Sequence, residues 1–164
     1  DEMASPEMQL TESEKRAAIE KLKTAALLQY TLPGIPCIYY GDENGAEGYI
    51  DPFCRKCFDW DHMNGELIAY YRKLGKLREE YRELFAKGIF KEIYVRNGCF
   101  VFKRMNEETK QVAYIIVNHS AESYVIRLNS AHLEYFENRV YTDFAEIRPY
   151  SCKVFLSDTT LKTS

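Results

Sequence analysis

Near residue 88 the hydrophobic repeat of this 164-residue chain shortens from the helical period to a period of two. Such a chain is neither all-helical nor all-β. Before the change, apolar residues recur at helical spacing in two stretches separated by an irregular loop. After it, short alternating runs are joined by polar turns: Ile93 and Val95, Phe100 and Phe102, Val112 to Val117, Tyr124 with Ile126 and Leu128, and Val154 with Leu156. That pattern predicts an antiparallel β-sandwich or small barrel.

The front half reads as helix, turn, short apolar run, loop and helix. Residues 1 to 10 read as a frayed lead-in. Thr11 and Glu14 form a capping-box signature, and Ala18, Leu22, Ala25, Ala26 and Gln29 then follow at helical spacing. Pro33-Gly34 ends that helix. Ile35 to Tyr40 lies between this turn and Gly41, and reads as a buried parallel strand or a buried helical turn. Residues 44 to 63 are irregular. A second helix is predicted over 64–85, with Tyr70, Leu74, Leu77, Tyr81 and Leu84 on one face. One parallel strand cannot satisfy both its edges, and a complete barrel needs about 250 residues, so the front reads as the tail of a larger fold.

Composition excludes several classes. At 46% hydrophobic and 29% charged the chain can build a core, so wholesale disorder is ruled out. Its 22 basic and 25 acidic side chains leave no broad positive field for nucleic acid. No run approaches the roughly 20 apolar residues that span a bilayer. The acidic N-terminus lacks a secretion pattern and an initiator Met, so an excised or processed cytoplasmic piece is expected. Five thinly spread cysteines fit a reducing compartment better than a disulfide framework.

Three groups invite chemistry. Asp42 and Glu43 are adjacent carboxylates, but neighbours on an extended strand point apart, whereas glycoside hydrolysis needs two carboxyls converging on one bond. Cys54-Arg55-Lys56-Cys57 is a C-x-x-C without a second ligand pair; His62 is its one nearby candidate partner, so no metal or other cofactor is expected. Unpaired thiols and a redox pair both remain open. Asp51, Arg55, Asp59 and Asp61 gather with Tyr49, Phe53, Phe58 and Trp60. Carboxylates and an arginine bind sugar hydroxyls and aromatic rings stack on sugar faces, while a loop fastened by ion pairs is the structural alternative. Asn118-His119-Ser120 matches the glycosylation triplet, which means little without secretion.

The stretch Leu27-Leu28-Gln29-Tyr30-Thr31-Leu32-Pro33-Gly34-Ile35-Pro36-Cys37-Ile38-Tyr39-Tyr40-Gly41-Asp42-Glu43 closely resembles the end of the catalytic barrel in the alpha-amylase superfamily, glycoside hydrolase family 13. Gly48, Asp51-Pro52-Phe53-Cys54-Arg55, Trp60, Tyr71 to Leu74, Leu77-Arg78 and Gly88 continue the resemblance, which covers residues 17 to 90 and looks most like the neopullulanase, maltogenic amylase and cyclomaltodextrinase branch. It implies the truncated end of a (β/α)8 barrel, its last helix, strand and helix, over residues 1–87, followed by an all-β antiparallel sandwich domain over 88–164. It further implies carbohydrate metabolism: a full-length enzyme that cleaves α-1,4-glucosidic bonds of α-glucan oligosaccharides with retention. The three catalytic acids would all precede Ala17, so no catalytic residue is expected here and the isolated chain is expected to be inactive. Asp51 and Arg55 resemble donor-side sugar contacts. Self-association through the exposed barrel remnant is also expected. An autonomous carbohydrate-binding or interaction module is the second reading, and a redox-responsive protein using Cys54 and Cys57 the third.

Overall fold

The computed structural model describes residues 10–48 and 51–157. The predicted lead-in falls almost wholly outside these residues, as does Tyr49. Helix α1 runs Glu12–Thr31, and its start carries the expected capping box. The Glu14 amide donates to Thr11 Oγ1 at 3.3 Å, and the Thr11 amide donates to Glu14 Oε2 at 2.8 Å. Helix α2 spans Gly65–Glu80, with Asn64 Oδ1 accepting the Leu67 amide at 3.0 Å as its cap. The single helix predicted over 64–85 is two: Tyr81 leaves helical geometry at φ −111°, and α3 resumes over Arg82–Lys87.

The predicted strand at 35–40 is not formed. Ile35 is 93% exposed and no ladder runs through this segment, which lacks the neighbouring strands that a parallel pairing requires. Gly41 then turns the chain at φ 95° into a short 3-10 turn over Asp42–Asn44. A Cβ at Gly41 would also meet Ala46 Cβ at 3.0 Å.

The back half is antiparallel β. Its strands are β1 (Ile89–Arg96), β2 (Cys99–Met105), β3 (Val112–Asn118), β4 (Tyr124–Arg127), β5 (His132–Glu134), β6 (Arg139–Tyr141), β7 (Phe144–Ile147) and β8 (Ser151–Ser157). They form a six-stranded sheet in the order β1-β2-β3-β8-β5-β6 and a two-stranded sheet, β4-β7. Period-two alternation explains the layering. Ala113, Ile115 and Val117 of β3, with Val154 and Leu156 of β8, share one apolar cluster with Leu27 of α1, Leu67, Leu74 and Leu77 of α2, and Leu84 of α3. Ile116 and Phe155 point to the opposite face and meet Ala145 and Ile147 of the small sheet. The middle of the large sheet is thus covered on both faces, by helices on one and by strands on the other, while edge strand β1 stays exposed. No described helix is long and apolar enough to cross a membrane.

Two arginines fasten the layers. Helix α1 has no basic residue in its last turn, so nothing on the helix itself complements its C-terminal carbonyls. Arg78 of α2 donates to the Tyr30 carbonyl at 2.9 Å and the Gly34 carbonyl at 3.0 Å. Arg104 of β2, only 2% exposed, donates to the carbonyls of Thr31 at 2.9 Å, Phe85 at 2.9 Å and Gly88 at 2.8 Å. Burial pushes the pKa of both guanidinium groups down, yet they keep the charge that strengthens these bonds. Gly88 sits where the hydrophobic period changes, and its amide closes on the Leu84 carbonyl at 2.9 Å. A Cβ there would come within 2.2 Å of that same oxygen, so only glycine fits unless the backbone moves.

Candidate functional site

The loop between α1 and α2 is pinned by an asparagine that sequence reasoning did not single out. Asn44 Oδ1 accepts the Asn64 amide at 2.6 Å, and its Nδ2 donates to the carbonyls of Asp59 and His62 at 3.3 and 3.4 Å. The chain from 51 to 63 therefore stands over the N-terminal end of α2. Within it, Arg55 Nε meets Asp51 Oδ1 at 2.8 Å, with the Arg55 amide donating to the Pro52 carbonyl at 3.0 Å. The i,i+4 spacing and this turn bring together the two residues singled out as sugar contacts. Their side chains are 69% and 60% exposed, which leaves polar edges available to a hydroxylated ligand.

Asp59 serves the loop rather than a ligand. Its Oδ1 accepts the amides of Asp61 and His62, each at 3.1 Å, and the His62 ring lies 3.1 Å from Oδ2. Slight burial opposes ionisation of Asp59, but the bonds from His62 and Asp61 outweigh it and hold the carboxyl below its ordinary range. His62 is thus engaged by a carboxylate, and among the described residues no three His, Cys, Asp or Glu side chains are grouped to hold a metal. Phe58 and Trp60 pack with ring centroids 4.6 Å apart, and Trp60 remains 74% exposed.

Asp42 and Glu43 do not form a working pair. Glu43 Oε2 accepts the Gly41 amide at 2.9 Å and so belongs to its own turn. Burial, reinforced by the neighbouring Glu43 charge, pushes the Asp42 pKa up. Asp42 lines a 190 Å³ cavity with Tyr39, Tyr40, Cys54, Cys57 and Phe58. The glycosylation triplet is structural: buried Asn118 donates through Nδ2 to the carbonyls of Glu122 at 2.7 Å and Arg148 at 2.9 Å, and its Oδ1 accepts the Ser120 amide at 3.0 Å. A second cavity of 550 Å³ opens between the two sheets, with Tyr94, Tyr114, Tyr124 and His132 on its walls.

No family model matches the chain. Among curated proteins it is 38% identical over 113 residues to a cyclomaltodextrinase of Thermoanaerobacter pseudethanolicus, an alignment covering 68% of this chain and 19% of that enzyme. It is 41% identical over 110 residues to a maltogenic alpha-amylase of Bacillus acidopullulyticus, covering 64% of the chain and 18% of the relative. The resemblance is to the alpha-amylase superfamily. The solved alpha-amylase of Geobacillus thermoleovorans, complexed with acarbose, superposes with a TM-score of 0.75 at 26% identity, over 87% of this chain and 34% of that one. An Anoxybacillus alpha-amylase gives a TM-score of 0.78 at 23% identity, over 89% and 33%, a likeness of fold alone. The chain spans about a fifth or less of these curated alpha-amylase relatives. Its fold, helices followed by antiparallel β layers, is that of the matching part of the alpha-amylase structures.

Proposed function

We propose that this chain is the C-terminal part of a retaining α-glucan hydrolase, with Asp51 and Arg55 forming one wall of its sugar site and the catalytic acids lying outside these residues. The observation that carries this reading is the Asp51–Arg55 pair, held at 2.8 Å and exposed, in a chain similar to cyclomaltodextrinase and maltogenic amylase. Residues 1–87 are then the remnant of a barrel and 88–164 its C-terminal β domain, and five free thiols suit the cytoplasm. The substrates of the complete enzyme are starch-derived oligosaccharides or cyclodextrins, as with neopullulanases.

Reducing-end release from maltohexaose and β-cyclodextrin tests this, with a full-length relative as control. No release by the purified chain is expected, because a retaining mechanism needs both a nucleophile and an acid/base. Turnover by the chain alone would sink the reading. Ile35, Phe53 and Trp60 are each exposed, and on this reading they would pack against the rest of the barrel; without it, self-association at high concentration is expected. The cavity between the sheets supports a second reading, an autonomous sugar-binding module. In that case maltohexaose would shift resonances of Tyr94 and Tyr124 rather than those of Asp51 and Arg55.

A further inference from the structure

The C-x-x-C pair plays no part in the sugar-site reading, yet its surroundings are organised. Cys54 and Cys57 both line the 190 Å³ cavity beside Tyr39, Tyr40 and Phe58, and both are free thiols, Cys54 half-buried and Cys57 exposed. The turn closed by the Arg55 amide on the Pro52 carbonyl folds the chain back at Cys54. Cys54 Sγ donates to Asp51 Oδ1 at 3.8 Å, and that same oxygen receives Arg55 Nε at 2.8 Å. One carboxylate oxygen therefore registers both the thiol and the guanidinium. The remaining thiols are placed differently. Cys37 is exposed on the preceding segment, while Cys99 and Cys152 pack against opposite faces of the large sheet. Burial pushes both sheet thiols away from the reactive thiolate form.

We propose that Cys54 and Cys57 are a dithiol–disulfide switch that sets the conformation of the Asp51–Arg55 loop. The oxidant is a low-molecular-weight disulfide. The thiolate of one cysteine attacks a sulfur of that disulfide, breaking its S–S bond and expelling one small thiolate. The second cysteine, deprotonated, then attacks the mixed disulfide, forms the Cys54–Cys57 bond and expels the other. Two electrons pass from the protein pair to the small disulfide, and the two protein protons finish on the two small thiols. Closure removes the S–H donor from Asp51 Oδ1 and constrains the backbone of Arg55, which lies inside the closed ring. The functional consequence, control of sugar contact, rests on the reading of Asp51 and Arg55 given above.

The test equilibrates the 164-residue chain with mixtures of oxidised and reduced glutathione, then reads intact mass, tryptic fragments and the Arg55 Nε–H resonance. A species lighter by two hydrogens is expected. Trypsin cuts after Arg55 and Lys56, so the Cys54 and Cys57 fragments should stay joined until reduced. The Arg55 Nε–H signal should move on oxidation in the wild type and stay fixed in the double variant Cys54→Ser with Cys57→Ser, in which neither position can form a mixed disulfide. Addition of two glutathiones without the lighter species, or a link to Cys37, would overturn the switch. So would a disulfide that leaves the Arg55 signal unmoved. If the signal moves but neither redox state responds to maltohexaose, the switch stands and the sugar-contact reading fails.

Discussion

The segment from Ile35 to Met63 and the interface between the helices and the large sheet are both rich in apolar side chains, yet they meet opposite fates. Leu27, Leu67, Leu74 and Leu77 are wholly buried, whereas Ile35 is 93% exposed and Trp60 74%. Hydrophobicity alone does not separate them. What differs is the supply of a complementary surface: α1 and α2 lie on a sheet whose near face is apolar, while Ile35 to Tyr40 has no strand beside it. A residue is buried by its partners, and among the described residues no strand pairs with Ile35 to Tyr40 to supply them.

That contrast can be attacked at its strongest point. Arg104→Ala should cost the most, about 3–5 kcal/mol, because it leaves two buried carbonyls and the half-buried one of Gly88 without this donor, in addition to the lost packing. Denaturant titration followed by helical and by sheet signals should show the two lost together in the wild type, given the single cluster they share. Separate transitions would mean that the helices and the sheet are independent units. Next in size, Leu74→Ala should lose about 2–5 kcal/mol while Trp60→Ala changes stability by less than about 0.5 kcal/mol. Comparable losses at the two sites would erase the distinction drawn above.

A smaller effect belongs to Glu134, buried in β5. Its oxygens accept the amides of Glu137 at 2.6 Å and Val154 at 3.1 Å, but burial outweighs these bonds and pushes its pKa up. A carboxyl raised on folding binds its proton more tightly in the native state. Its contribution is therefore complete below the ordinary glutamate value of 4.5 and is lost as pH climbs through the raised native value. Stability measured from pH 4 to 7 should fall in the wild type relative to Glu134→Gln. A gap that stays constant, or reverses, would show that the two amide bonds prevail.

Local features of the fold were legible in the chain. The Thr11–Glu14 box and the Pro33-Gly34 stop frame α1 because capping and helix breaking act over a few residues. The strong central strand at β3 and the closing strand at β8 were equally plain, whereas the ion pair between Asp51 and Arg55 was open in the sequence only as one way of fastening the loop. What escaped is long-range. Arg104 stands at the inward position of β2 beside Phe100 and Phe102, a cation where an apolar residue belongs, and that misfit was the available sign of a carbonyl clamp. Arg78 reads as part of a solvated helix face until α1 is placed against it. The coverage of the sheet by α1 and α2, and the exposure of Ile35, depend on which surfaces meet, which no window of sequence contains.

The clamp at Arg104 has a bearing on how the strands could be moved into another protein. A transplant cut at residue 88 would carry the guanidinium with the strands and leave its acceptors at Thr31 and Phe85 behind. The recipient would have to present carbonyls in the same places or drown the cation in water that the sheet face does not otherwise admit. The portable unit for chimera building is thus the whole run from Thr11 to Ser157, with the joint placed ahead of the first helix rather than at the visible seam.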